Sequence, residues 1–229
     1  MIPAQVIAAW RTTHPWINDR QVEQDLILTR LAVEIAGHPE LRDRLVWRGG
    51  TCLHKIVMPE PLRYIDEVES LLALERRALR VDTGWWRGET DVLTFHPAEM
   101  IGTKFRALAQ RSKGRDLNDL ELARLRLGLD DEQLAACAAH YLHHEGISSN
   151  EFKARLFAHL GDPNFVDDVA RFITDPSHTF EPDRLVERWI WWSDEFLDPA
   201  MVLLRTAGID GIDAEGLIRQ SDLLSDGLV

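Results

Sequence analysis

The chain has 229 residues, of which 45% are hydrophobic and 28% are charged, the balance of an ordinary globular protein. It has no apolar run long enough for a membrane span, no signal-peptide pattern at its start, and only two cysteines without C-x-x-C spacing, so we expect a cytoplasmic protein. The net charge of −12 arises entirely after residue 120, where 9 basic residues stand against 21 acidic ones, and such a region repels nucleic acid.

The first part of the chain predicts helices around a small sheet. Apolar spacing predicts helices over residues 3–12 and 21–36, the second with a broad buried face. A short apolar run at residues 45–47 predicts a strand that leads through a glycine turn into a helix over 52–58. Alternation across residues 75–95, with Gly84 near the turn and Gly88 as a second break, predicts a β-hairpin.

From Pro97 onward, 3–4 spacing and Gly or Pro breaks predict a run of helices. Gly114 is expected to end the first of these, and further helices follow at about 115–126, 131–144, 149–160, 164–174 and 184–196. The sequence therefore predicts an α+β protein with a small mixed sheet and a mostly helical C-terminal half, divided into residues 1–95 and 96–229.

The turn Gly49-Gly50-Thr51 follows the predicted strand and opens a helix. Glycines at such a position let backbone N–H groups approach a phosphate, because no side chain blocks the way. The pattern is neither a Walker A loop nor a G-x-G-x-x-G fingerprint. It predicts either a phosphate site or simply a tight strand-to-helix turn.

A second segment concentrates charge on two successive predicted helices. Lys104 and Arg111 are two helical turns apart and share one face, while Asp116 and Asp119 share a face of the next helix. A cation cluster beside two carboxylates suits a triphosphate and its metal ions. Alternatively, this is a solvated basic helix whose neighbour is capped by the aspartates. We define the basic patch as the five cations that occur within twelve residues without an acid: Lys104, Arg106, Arg111, Lys113 and Arg115.

Together, RGGTCLHK (48–55), PLRY (61–64) and TFHPAEMIGTKFRALAQRSKGRDLNDL (94–120) resemble the AbiEii/AbiGii family of nucleotidyltransferase toxins. The resemblance implies a nucleotidyltransferase-like sheet and a toxin of a toxin–antitoxin or phage-defence system. It also implies transfer of nucleotides from a nucleoside triphosphate to RNA, with tRNA as the expected acceptor, Mg²⁺ as cofactor and an antitoxin as partner. Carried over to this chain, Gly49, Gly50, Thr51, Lys104 and Arg111 bind the nucleotide, and Lys104, Asp116 and Asp119 form the catalytic set.

The chain departs from the family after Tyr64, where Ser-x-Asp-x-Asp is expected and Ile65-Asp66-Glu67-Val68-Glu69 stands instead. In one explanation, Glu67 and Glu69 replace the metal-binding aspartates. In the other, which the short spacing to the hairpin favours, the catalytic strand has been deleted. Both predict impaired transfer, since Glu lengthens each ligand arm and a deletion removes it. The alternative function is a non-catalytic remnant that binds a partner protein such as an antitoxin.

Three further groups of residues are weaker candidates for a functional site. His140, His143 and His144 have zinc-like spacing but no evident third ligand. The cluster of Trp189, Trp191 and Trp192 is expected to pack in the core or to line a partner groove, because its neighbours are acidic. Cys52 lies near a predicted helix N-terminus, which is expected to lower its thiol pKa.

Overall fold

The computed structural model describes residues 2–14, 16, 18–48, 52, 55–56, 70–170 and 180–207. These residues form two compact units that divide the chain after His96. The first unit comprises the described residues up to Ile56 together with Ala73–His96. The second unit comprises Ser70–Leu72 and the described residues from Pro97 onward.

The first unit contains two helices and a hairpin: α1 (Ala4–Arg11), α2 (Asp19–Gly37), β1 (Glu75–Asp82) and β2 (Arg87–Thr94). A capping box starts α2. The backbone N–H of Gln21 donates to the Asn18 side chain at 3.0 Å, and the backbone N–H of Asn18 donates to the Gln21 side chain at 3.3 Å. The Asn18 cap therefore begins α2 as a helix separate from α1, as the sequence indicates.

The hairpin packs on α2 and confirms the alternation seen in the sequence. β1 and β2 are antiparallel, with Glu75 opposite Thr94 and Asp82 opposite Arg87. Its inward side chains join α2 residues in one buried apolar cluster, which includes Leu26, Val33, Leu79, Val81 and Val92. Burial of these side chains is the main force that holds the unit together.

The strand predicted at residues 45–47 is wrong in extent. Trp47 alone pairs with the hairpin, through a parallel bridge to Thr94, and its N–H donates to the Leu93 carbonyl at 2.8 Å. The backbone N–H of Leu45 donates instead to the Leu41 carbonyl at 3.0 Å, so a turn continues through that residue. Leu45 is exposed, so burial of its side chain does not favour a strand there.

The second unit is helical. Its elements are α3 (Pro97–Gln110), α4 (Gly114–Leu127), α5 (Asp131–His144), α6 (Ser149–Ala158), a 3-10 turn (His159–Gly161), α7 (Pro163–Ala170), α8 (Pro182–Trp192), a π turn (Ser193–Leu197) and α9 (Asp198–Ala207). Side chains of Asp130 and Ser148 cap α5 and α6 by accepting backbone N–H bonds at 2.8 and 3.2 Å.

Gly114 begins α4 rather than ending α3, which stops at Gln110. A Cβ at Gly114 would overlap the carbonyl oxygen of Phe165 and crowd a Val169 methyl group. The glycine is therefore required by the close approach of α4 to α7, and its role as a helix stop, expected from the sequence, is wrong.

α3 lies along α5 and carries the centre of the second core. A Cβ at Gly102 would stand 2.7 Å from the Cys137 Cβ, so the two helices approach closely at that point. Phe105 lies 5.4, 5.5 and 5.1 Å from the rings of Phe152, Trp189 and Trp192. This packing fixes the rotation of α3 and thereby determines which side its charged residues face.

The fold class is confirmed: the described residues form a two-stranded antiparallel sheet with a predominantly helical remainder, an α+β protein. Within these ranges, every helix is too short or too polar to cross a lipid bilayer.

Candidate functional site

Lys104 of α3 and Arg111, the residue that follows this helix, converge on one carboxylate of α4, as their spacing predicts. The Lys104 ammonium donates to Asp116 Oδ1 at 3.2 Å and also contacts Asp119 Oδ2. Arg111 donates from Nε to Asp116 Oδ2 at 2.8 Å and from Nη2 to Oδ1 at 2.9 Å. We call these four residues the Lys104 cluster. Its bidentate Arg–carboxylate pair is the strongest ion-pair geometry available to proteins.

The Lys104 cluster is buried and its formal charges sum to zero. Asp116, Asp119 and Lys104 are almost fully buried, whereas the Arg111 side chain keeps 33% of its surface exposed. Burial alone would lower the pKa of Lys104, but the negative charges of Asp119 and Asp116 outweigh it and raise that pKa. Lys104 is therefore a permanent ammonium ion that joins α3 to α4.

The other cations of the basic patch also have carboxylate partners. Arg106 lies 3.4 Å from Glu145, at the end of α5. Lys113 and Arg115 lie 3.9 and 3.6 Å from the same oxygen of Asp168, on α7. The patch is positive in the sequence, but folding places an acidic side chain from another helix against each of its members.

The remaining site residues predicted from the sequence lie outside the described residues. These are the nucleotide-binding Gly49, Gly50 and Thr51 and the metal-binding Glu67 and Glu69. The two explanations for the departure after Tyr64 concern the same stretch and stay open.

The carboxylates of the Lys104 cluster do not fit a divalent metal ion. Asp116 and Asp119 already bind one ammonium and one guanidinium group, which occupy the oxygens that a metal would need. Across the described ranges, no group of three His, Cys, Asp or Glu side chains is placed to hold a metal, and this includes His140, His143 and His144.

A second buried lysine was missed by the sequence analysis. Lys55, the last residue of RGGTCLHK, donates to Asp25 Oδ1 at 2.6 Å and contacts the Thr29 hydroxyl. Trp10 Nε1 donates to the other Asp25 oxygen at 2.9 Å. Burial lowers the pKa of Lys55 despite the opposing charge of Asp25. The sequence feature that could have revealed this site is Asp25, an acidic residue among the apolar positions of α2.

Another buried carboxylate, Glu99 on α3, anchors the chain that precedes the hairpin. It accepts the backbone N–H groups of Leu71 at 2.6 Å and Leu72 at 3.0 Å, and the Tyr141 hydroxyl at 2.6 Å. Because Glu99 accepts these three hydrogen bonds, it stabilises the second unit.

Cys52 is an inert thiol, contrary to the expectation from its sequence position. Burial raises its pKa to about 12, although a hydrogen bond with Thr94 and the charge of Arg77 work in the other direction. The Thr94 hydroxyl donates to the Trp47 carbonyl at 2.8 Å, which leaves its oxygen to accept the Cys52 S–H.

Comparison with known proteins supplies one match. The model of the family described as nucleotidyl transferase AbiEii toxin, type IV TA system, matches residues 65–195, more than half of the chain. The match contains the whole Lys104 cluster and begins after the glycine turn. No curated protein and no solved structure matches the chain.

Proposed function

Because this chain belongs to the AbiEii family of nucleotidyl transferase toxins of type IV toxin–antitoxin systems, we propose that it transfers nucleotides from a nucleoside triphosphate to RNA, with tRNA as the acceptor and at a reduced rate. The family implies a nucleotide substrate and an antitoxin partner. The observation that carries the proposal is the convergence of Lys104, Arg111, Asp116 and Asp119 in one cluster.

Within this proposal, Arg111 is the residue that contacts phosphate. It is the most exposed member of the cluster, and its guanidinium has N–H donors on Nη1 and Nη2 beyond the two that bind Asp116. Lys104 is too buried to reach a substrate without opening the cluster, so it acts as a positioning residue that fixes Asp116 and Asp119. Gly49, Gly50 and Thr51 remain the nucleotide-binding residues that the family resemblance implies for the first unit.

The reduced rate follows from the state of the carboxylates. Mg²⁺, the cofactor that the family resemblance implies, would neutralise charge on the triphosphate, but the described carboxylates do not fit it. The ligands must then come from elsewhere, and Glu67 and Glu69 are the candidates, with longer arms than aspartate.

A labelling experiment tests this proposal. We would incubate the protein with each radiolabelled nucleoside triphosphate, Mg²⁺ and total tRNA, and measure labelled RNA. We expect weak labelling that Arg111→Gln abolishes and Arg115→Gln preserves, since Arg115 is a partly exposed arginine paired outside the cluster. Equal labelling by both variants would contradict the role of Arg111. Strong labelling that Glu67→Gln and Glu69→Gln remove would instead contradict the reduced rate and the deletion.

The second candidate function, a non-catalytic remnant that binds a partner such as an antitoxin, is favoured by the neutralisation of the basic patch. A protein that has lost catalysis keeps the Lys104 cluster only for stability. If this candidate is correct, no RNA is labelled with any nucleoside triphosphate. The result should be the same with Mg²⁺ present and after its removal by a chelator.

A further inference from the structure

Helix α8 carries three tryptophans, and one of them faces solvent. Trp189 and Trp192 are 1% and 3% exposed and pack on Phe105, as predicted for a core cluster. Trp191 is 60% exposed. Its one aromatic neighbour in the described ranges, Phe196, meets it edge-on with ring centroids 6.5 Å apart. The core therefore does not require an indole at this position, and tryptophan is one of the residue types that are enriched at protein interfaces.

The residues one turn away on either side of Trp191 are acidic. Glu187 and Glu195 are both exposed, and within the described residues neither makes an ion pair. Glu187 is four residues before Trp191 on α8, so its carboxylate shares the helix face of the indole, and Glu195 follows in the π turn. The exposed Trp191 thus stands between two exposed acidic residues in the chain.

Cations around this surface are already engaged. Arg184 pairs with Glu181 at 2.8 Å, and Arg188 pairs with Glu121. Lys153 binds Asp194 at 2.5 Å and Asp198 at 2.9 Å. Among the described residues, these three cations therefore leave the charges of Glu187 and Glu195 uncompensated, and a cation from another molecule complements them.

We propose that Trp191, Glu187 and Glu195 form a docking site for an arginine or lysine side chain on a basic segment of a protein partner. The indole face attracts a cation through its quadrupole, and the two carboxylates add direct charge attraction. Nucleic acid is disfavoured, because residues 121–229 carry a net charge of −12. This site lies on α8, whereas the proposed transfer site lies on α3 and α4, so neither proposal depends on the other.

An amidated hexa-arginine peptide is a suitable probe, titrated calorimetrically into the full chain at about 150 mM salt to screen distant charges. We expect Trp191→Ala to weaken binding roughly two- to fivefold, and Trp191→Phe to retain most of it. The double variant Glu187→Gln, Glu195→Gln should weaken binding similarly. It tests the site independently, since exchange of two exposed carboxylates leaves the core untouched.

Matched controls separate the site from general acidity. Phe157 is 65% exposed on α6 but has Lys153 and Gly161 at the flanking i±4 positions, so Phe157→Ala should leave binding unchanged. Glu132→Gln removes an exposed carboxylate on α5 and should also have no effect. Equal losses in these controls would overturn the proposal.

Two other occupants are outcomes of the same experiment. If a single-stranded RNA oligonucleotide binds and Trp191→Ala removes that binding, the surface stacks bases and the proposal is wrong. If the chain self-associates in sedimentation and Trp191→Ala makes it monomeric, the occupant is a second copy and the proposal is again wrong. Unchanged peptide affinity in Trp191→Ala would also refute it.

Discussion

Lys55 in the first unit and Lys104 in the second are both buried lysines, but they differ in the number of their carboxylate partners. Among the described residues, Lys55 pairs with Asp25 alone, and burial lowers its pKa. Lys104 pairs with Asp116 and Asp119, and their combined charge raises its pKa against the same effect of burial. In this protein, one carboxylate does not offset the loss of water around the Lys55 ammonium group, whereas two carboxylates do so at Lys104.

Because of this difference, the two buried lysines have different roles. Lys104 stays charged across the physiological range and holds two helices together as a fixed ion. Lys55 is easier to neutralise, and its ammonium group is held by a hydroxyl as well as by a carboxylate. The contrast leads to three predictions, which begin with the largest expected effect.

Removal of the Lys104 charge should have the largest effect on stability. Lys104→Met leaves Asp119 buried without its cation and Asp116 with Arg111 alone, so we expect a loss of about 3–5 kcal/mol in the free energy of unfolding. Urea denaturation monitored by circular dichroism measures this change. Lys113→Met is the control, because that side chain is 42% exposed and its pair should contribute less than about 1 kcal/mol. Similar losses in both variants would mean that the Lys104 cluster is an ordinary surface pair.

Removal of one carboxylate should make Lys104 resemble Lys55. Asp119→Asn leaves the ammonium with Asp116 only, so its pKa should fall below the wild-type value as burial becomes the larger influence. We expect a smaller loss of stability, about 1–3 kcal/mol. Titration of the Lys104 Nζ resonance by heteronuclear NMR tests this directly. A pKa that stays raised in Asp119→Asn would show that the second carboxylate is not the decisive partner.

The smallest effect is a difference in the pH dependence of stability. The raised pKa of Lys104 means that its contribution is complete below 10.5 and is lost only as pH rises beyond that value. The lowered pKa of Lys55 makes stability change with pH in the opposite direction. Between that pKa and 10.5 the unfolded chain binds more protons, so stability rises with pH.

Urea unfolding at several pH values from neutral to about 10.5 checks this sign. As pH rises, the free energy of unfolding should increase in wild type but not in Lys55→Met. The difference in this free energy between wild type and Lys104→Met should stay constant over the same range. Parallel curves for wild type and Lys55→Met would contradict the assignment of a lowered pKa to Lys55.

Local patterns in the sequence were enough to predict much of the fold and part of the site. Alternation identified the hairpin, and 3–4 spacing identified the helices and the shared face of Lys104 and Arg111. The family resemblance is confirmed over residues 65–195, which include the segment that suggested it most strongly.

Contacts between residues distant in the chain could not be predicted from such patterns. Arg106 and Glu145 are 39 residues apart, and no periodicity indicates that they meet. The sequence therefore suggested a basic patch where the fold makes ion pairs. Gly114 illustrates the same limit, since the reason for a glycine there is the carbonyl group of Phe165 on another helix.

The π turn Ser193–Leu197 between α8 and α9 has a consequence for insertions and deletions. Such a turn holds about one residue more than a turn of α-helix. Loss of one residue there would convert the turn to regular α-helical winding, and α9 would keep nearly the same face towards the core. Loss of one residue in the first turn of α9 would instead rotate the rest of that helix by about 100°, and the buried Met201 and Leu204 would turn away from the core. This end of the helical unit should therefore tolerate a one-residue deletion in the π turn but not in the helix that follows it.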